Sequence, residues 1–265
     1  MPKLKRLIIF IIGILVISAG VLFSFIRQQY VVPIIMYHSV YPGALPKNRL
    51  AVTEKTFQRQ MQFLKKHQYN VLSLEELAIL IKEKKKIPPH SLAITFDDGF
   101  KDNYTYAFPI LKKYNLPATI FLIINEVGRK ENDKLSWDEI KVMQDSGLIT
   151  FGSHTLTHKY LEEFKGEEEL KKEVFDSKRI LEEKLGRPVN IFSYPTGRFT
   201  AAFRQMVINA GYKVAVTTSP GKKFANDDIF ALKRLRISAN CDNLFVFWVE
   251  TSGYYTFLKE RRDAD

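Results

Sequence analysis

Two acids stand side by side at Asp97 and Asp98, between Phe96 and Gly99, and two histidines stand four residues apart at His154 and His158. Each pair alone is a weak signal, because adjacent acids are usually solvated and H-x-x-x-H spacing arises by chance. Adjacent carboxylates repel, however, and gain nothing for stability unless a cation or a proton lies between them. On a helical turn a spacing of four points both imidazoles the same way. Two imidazoles and one carboxylate, with positions left for water, suit zinc or another divalent transition metal. The second carboxylate is then free to act as a base.

Such a cluster needs elements that bring distant segments together. Short apolar runs alternate with helical patterns along the chain. The patterns predict strands at 33–37, 69–72, 92–96, 118–123, 148–152, 190–193, 213–216 and 235–237, and helices at 54–66, 74–83, 103–114, 137–145, 167–185 and 201–210. The clearest helix is 167–185, where Leu170, Val174, Leu181 and Leu185 form one stripe. Ser73 followed by Glu76 resembles a capping box, and Gly186 then Pro188 is a stop signal. This alternation predicts an α/β fold with a parallel sheet, and the length suits a barrel.

In such folds the site forms at the carboxyl ends of the strands. His38, Asp97–Asp98, Ser153–His154 and Tyr194–Pro195–Thr196 each follow a predicted strand. Three of the five histidines and a carboxylate pair therefore converge on one face. His67 falls at a helix C-terminus beside Lys65 and Lys66, and His90 precedes its strand, so both read as structural.

The segments Thr95–Phe96–Asp97–Asp98–Gly99 and Ser153–His154–Thr155–Leu156–Thr157–His158 resemble the first two motifs of the NodB-type polysaccharide deacetylases, carbohydrate esterase family four. The resemblance spans residues 32–237. The opening Pro33–Ile34–Ile35–Met36–Tyr37–His38–Ser39 and the Ser193–Tyr194–Pro195–Thr196–Gly197 segment are similar to the poly-β-1,6-N-acetylglucosamine deacetylase branch. The resemblance implies a distorted (β/α) barrel, with Asp97 as general base and Asp98, His154 and His158 as ligands of one divalent ion. Zinc is the first expectation for that ion, with cobalt, nickel or manganese as alternatives. It further implies oxyanion or substrate contacts at Tyr194, Pro195 and Thr196, with Trp137 walling the site; a core tryptophan opening its helix is the competing reading of Trp137. Two departures stand out. Thr196 replaces an aromatic after the proline of the third motif, although a backbone N–H there would be unaffected. The chain also lacks the C-terminal Leu-x-His of many members, which leaves the acid role to His38.

The expected reaction is hydrolysis of N-acetyl groups on an amino-sugar polymer, with peptidoglycan or xylan as alternative substrates. A carbohydrate-binding pseudoenzyme is disfavoured, because the ligand triad and the base are all present. A carboxylate near His38 is expected to raise its pKa and suit it to protonating the leaving amine.

Composition sets the location. After Lys3, Lys5 and Arg6, the twenty residues 7–26 carry no charge, and Arg27 closes the run. As a helix, such a run spans about 30 Å, a bilayer core. The flanking cations favour a cytoplasmic N-terminus. The expected organisation is a cytoplasmic stub at 1–6, a transmembrane signal-anchor at 7–26, a linker at 27–32, an extracellular catalytic domain at 33–250 and a tail at 251–265. A cleaved signal peptide, releasing the domain, is the alternative, with Ser18, Ala19 and Gly20 as a weak cleavage site. One cysteine, Cys241, excludes an intrachain disulfide. The net charge is +11, of which the four cations flanking the apolar run leave about +7 for the domain. Nucleic acid is not expected as a partner, given the export signal and the absence of a binding motif.

Overall fold

A computed structural model describes residues 2–28, 30–45, 48–129, 131, 133–218 and 228–255. The chain divides into two units, Met1–Val31 and Val32–Asp265. The first is helix α1 (Pro2–Gln28), which runs through the expected boundaries at residues 6 and 26. Its side chains from Ile8 to Leu22 are all exposed. Among the described residues no helix is long and apolar enough to cross a membrane. The transmembrane span expected at 7–26 is therefore not shown by the structure. The side chains of Lys3, Lys5, Arg6 and Arg27, and residues 256–265 of the expected tail, lie outside the described residues.

The second unit begins with β1 (Ile34–Tyr37), β2 (Ser39–Val40), β3 (Ala51–Val52), α2 (Glu54–Lys66), β4 (Asn70–Val71), α3 (Leu74–Lys82) and β5 (Ser91–Phe96). It continues through α4 (Phe108–Tyr114), β6 (Ala118–Leu122), α5 (Trp137–Asp145), β7 (Ile149–Ser153), α6 (Glu167–Leu185), β8 (Ile191–Ser193), α7 (Ala201–Asn209), β9 (Val214–Val216), β10 (Leu235–Arg236) and α8 (Leu244–Glu250). The main sheet is parallel, in the order β10-β1-β5-β6-β7-β8-β9, with β4 beside β5. Strands β1, β5 and β6 are buried along their whole length. That is why they read as continuous apolar runs rather than alternations, since helices cover one face and the curled interior fills the other. Among the described residues between β9 and β10, only an isolated bridge, Val216 to Leu232, carries the curl onward. The fold is a curled parallel half-barrel, consistent with the distorted barrel expected.

Local signals account for most element ends. Ser73 caps α3 by accepting the Glu76 N–H at 3.2 Å, and Gly186 ends α6 with φ +65°. The helix expected over 103–114 is corrected: Asn103–Ala107 forms a π-helical turn before α4 begins at Phe108. Pro109 has no N–H to continue an α ladder, and the Phe108 N–H instead reaches five residues back to the Asn103 carbonyl. Strands β2 and β3 pair with each other in parallel and are too short to leave a pattern in the sequence. Helix α8 divides its aromatic residues between core and surface: Phe247 is buried, while Phe245 and Trp248 are exposed.

Candidate active site

Parallel register carries the strand ends to one rim. Tyr37 pairs with Phe96, Leu122 with Ser153, and Ser193 with Val216. The residues that follow these strands, His38, Asp97, His154 and Tyr194, therefore leave the sheet at the same end. At Asp98 the backbone turns left-handed with φ +71°, and Gly99 follows at φ +60°. A Cβ on Gly99 would stand 2.6 Å from the Leu122 side chain, so only glycine lets the chain turn here. The turn lifts Asp98 to a half-buried position while Asp97 stays buried. Lys134 fixes it from outside, its Nζ donating to the Asp98 carbonyl at 2.9 Å and lying 3.9 Å over the Phe100 ring.

One ligand atom from each of Asp98, His154 and His158 falls within 4.8 Å of the others. The Asp98 Oδ1 stands 3.7 Å from His154 Nε2 and 3.9 Å from His158 Nε2. Donors bound to one tetrahedral zinc at about 2.1 Å stand about 3.4 Å apart, so the Asp98 oxygen stands within about half an ångström of that spacing from each imidazole nitrogen. Ligand chemistry agrees. His154 Nδ1 lies 2.8 Å from the Ser193 carbonyl, which can only accept. The proton therefore belongs on Nδ1, and the Nε2 lone pair faces the cluster. Burial pushes the His154 pKa down to about 4, against the opposing charge of Asp97. The imidazole is thus neutral, as a ligand must be. The residues fit a divalent metal.

Asp97 has a different partner. Arg234, fully buried, donates from Nη1 and Nη2 to its two carboxylate oxygens at 2.6 and 2.7 Å. The guanidinium also reaches Ser193 Oγ at 2.9 Å and the Thr217 carbonyl at 2.8 Å. Burial alone would raise the Asp97 pKa, but the Arg234 charge and hydrogen bonds, with His154 and His38, hold it well below the usual carboxylate range. The cation that relieves this acid pair is thus an arginine on one side, with a metal-fitting cluster on the other. Sequence reasoning missed Arg234. A buried carboxylate pair demands a cation, but no spacing cue selects one among forty lysines and arginines.

The remaining expected residues divide. His38 is buried, and its Nδ1 has no hydrogen-bond partner among the described residues. The expectation that its pKa is raised is overturned: burial pushes it down and outweighs the upward pull of Asp97 and Asp98, with Arg234 and Arg236 adding to the lowering. The Asn103 side chain holds the His38 carbonyl at 2.8 Å. Tyr194 is a core residue, stacked on Phe199 at 4.4 Å and edge-on to Phe203. Its N–H is taken by the Val216 carbonyl at 3.1 Å, and its buried hydroxyl has no partner among the described residues. Pro195 is buried, and Thr196 turns left-handed at φ +57° with its hydroxyl buried and likewise without a partner among the described residues. Trp137 opens α5 and packs half-buried against the core, with Lys184 Nζ 5.8 Å over its ring. Tyr37 points into the core, donating to Gln60 at 2.8 Å. His67 ends α2 against Phe63, and His90 lies against Tyr69.

Comparison with known proteins adds a family to this geometry. Residues 84–215 match the polysaccharide deacetylase family. A Bacillus subtilis relative assigned to the polysaccharide deacetylases, YxkH, is 35% identical over 206 residues, covering 78% of this chain and 71% of the relative. A poly-β-1,6-N-acetyl-D-glucosamine N-deacetylase of Staphylococcus aureus is 30% identical over 199 residues, covering 71% of this chain and 68% of the relative. Among solved structures, the Streptococcus pyogenes deacetylase PplD, in complex with acetate, superposes with a TM-score of 0.73 at 31% identity, covering 82% of this chain and 97% of that one. The chain belongs to the polysaccharide deacetylases, hydrolases of carbon–nitrogen bonds.

Proposed function

We propose that this chain removes N-acetyl groups from a cell-surface amino-sugar polymer of the poly-N-acetylglucosamine kind, using one divalent metal held by Asp98, His154 and His158. The observation that carries the reading is that cluster, three ligand atoms within 4.8 Å, set beside a carboxylate kept ionised by Arg234. The S. aureus relative supports the substrate class by its name, and acetate, found with the S. pyogenes deacetylase, is the product such a reaction releases.

Asp97 is the general base. Arg234 grips both of its oxygens, which fixes its direction and keeps it charged at any working pH. The same grip makes it a weak base, so the water it deprotonates must already be acidified. A divalent ion held by Asp98, His154 and His158 would supply that acidity and would polarise the acetamide oxygen. The Thr196 N–H is assigned to the oxyanion. His38 is assigned as the acid that protonates the departing amine. Because burial holds it neutral at rest, it must gain its proton during turnover. Helix α1 is assigned as a membrane anchor, with the catalytic unit outside the cell. Its support is the uncharged run 7–26 between basic flanks and the exposure of the apolar side chains from Ile8 to Leu22.

The test is acetate release from β-1,6-linked N-acetylglucosamine oligomers, β-1,4-linked oligomers and peptidoglycan, before and after chelation. Activity is expected to vanish with chelator, return with zinc or cobalt, and be greatest on the β-1,6 polymer. Full activity in metal-stripped protein would sink the mechanism, and a preference for peptidoglycan would move the substrate. Membrane fractions resistant to salt extraction are expected to hold the intact chain; release into the medium would favour a cleaved signal.

A further inference from the structure

The loop between the two ligand histidines is held in an unfavourable shape. Thr155 has φ +67° and His158 φ +56°, left-handed conformations that non-glycine residues adopt only when their surroundings enforce them. Part of the enforcement is local. Ser153 Oγ accepts the Thr155 N–H at 3.2 Å, and Thr155 Oγ1 accepts the His158 N–H at 3.1 Å.

The rest comes from α6, from a residue the sequence gives no reason to notice. Glu173 lies on the buried face of α6, among Leu170, Val174, Ser177 and Leu181, and is 4% exposed. Its Oε2 accepts the N–H groups of Leu156 at 2.8 Å and Thr157 at 2.9 Å, and its Oε1 accepts the Thr157 hydroxyl at 2.7 Å. One carboxylate thus ties down two of the three residues between His154 and His158. A charged group on the core face of a helix is costly unless its hydrogen bonds are made. Here all of those seen go to the histidine loop. His158 itself is half-buried, with no hydrogen bond from its ring to hold it among the described contacts. Its place opposite Asp98 therefore depends on the backbone that carries it.

We propose that Glu173 is a positioning residue for the metal site. It sets the His154–His158 loop so that both imidazoles face Asp98 before any ion arrives, and it thereby raises metal affinity without touching the ion. The proposal rests on the reading that this cluster binds metal.

The variant Glu173→Met keeps the buried volume and removes all three acceptors. Glu173→Gln can turn its amide oxygen to the two N–H groups and its N–H to the Thr157 oxygen. Zinc affinity of the full chain, measured by competition with a chromogenic chelator, is expected to fall about 10- to 100-fold in Glu173→Met and to be largely restored in Glu173→Gln. The visible spectrum of the cobalt-loaded protein is expected to change only in the first. Glu182→Met is the control for stability alone. Glu182 accepts the Val189 N–H and the Lys178 ammonium at the far end of α6, so this variant is expected to lower Tm and leave zinc affinity intact. If Glu173→Met does not fold, Glu173→Asp, one methylene shorter, is expected to show the same loss of affinity. Wild-type affinity in Glu173→Met, or in Glu173→Asp when it stands in, overturns the proposal. Affinity lost equally in Glu182→Met does the same, by tracing the effect to stability. A wild-type chain that binds no zinc overturns the metal reading, and this proposal with it.

Discussion

On the side of the site formed by Asp97, Arg234 and His154, both carboxylate oxygens, the guanidinium and the inner imidazole nitrogen are hydrogen-bonded. In a second group, His38 after β1 and Tyr194 and Thr196 after β8, three buried polar atoms have no partner among the described residues: His38 Nδ1, Tyr194 Oη and Thr196 Oγ1. An unmade hydrogen bond at a buried group costs about 1–3 kcal/mol, so the two sides are built to different ends. The first fixes its geometry before substrate arrives, which is what the proposed base and ligand set would require. The second leaves its buried polar groups unmet.

The sharpest way to break this contrast is at Asp97. Asp97→Asn removes the proposed base, and a loss in kcat of about 100- to 10,000-fold is expected. It also strands Arg234, and breaking a buried ion pair from one side costs about 3–5 kcal/mol. A marked drop in Tm is therefore expected along with the lost turnover. Adding Arg234→Met is expected to recover much of that Tm and none of the activity. An Asp97→Asn variant as stable as the wild type would show that the pair is not the buried, dry contact described.

The second test addresses the incomplete side. His38→Ala is expected to fold and to bind zinc as the wild type does, because no ligand depends on it. Its rate on an acetamide is expected to fall sharply, by 100-fold or more, and its rate on an activated ester by much less, since that leaving group hardly needs a proton. Equal losses on amide and ester would remove His38 from the acid role. A change in zinc affinity would join the two sides into one unit.

These tests also mark what was legible in the sequence. Asp97, Asp98 and His154 could be found because they follow apolar runs, a local signal, and His158 by its spacing of four from His154. Helices α2, α5 and α6 were legible at their boundaries for the same reason. Arg234 and Glu173 were not. Each lies far along the chain from what it holds, and Glu173 looks like one more charge on an amphipathic helix until its burial is known. The His38 pKa went the wrong way because a sequence shows a neighbouring carboxylate but not the depth of burial that outweighs it. Tyr194 was read as a substrate contact because it sits in the motif. Three-dimensional packing turns its ring into the core against Phe199 and Phe203.

The smallest expected effect gives the comparison a pH axis. Asp102 lies on the His38 side, where Ser39 Oγ and the Asn103 side chain donate to it, and Asn103 in turn holds the His38 carbonyl. Burial raises the Asp102 pKa to about 6, against those hydrogen bonds and with the charge of Asp133 adding to the rise. A folded pKa above the unfolded value of about 3.9 means that the folded state holds this proton more tightly. Stability is then greatest below the unfolded value and declines as pH rises toward 6, by no more than about 3 kcal/mol in all. Asp97 has the opposite sign. Its folded pKa is depressed, so its contribution is present above about 3.9 and is lost in stronger acid. The two sides therefore loosen at opposite ends of the scale. Urea midpoints of metal-free protein at pH 4.5 and 7.5 are expected to show Asp102→Asn more stable than the wild type at the higher pH, with the difference shrinking at the lower one. A difference that does not change between those two values would mean that Asp102 keeps an ordinary pKa, and that its side of the site is wetter than its burial implies.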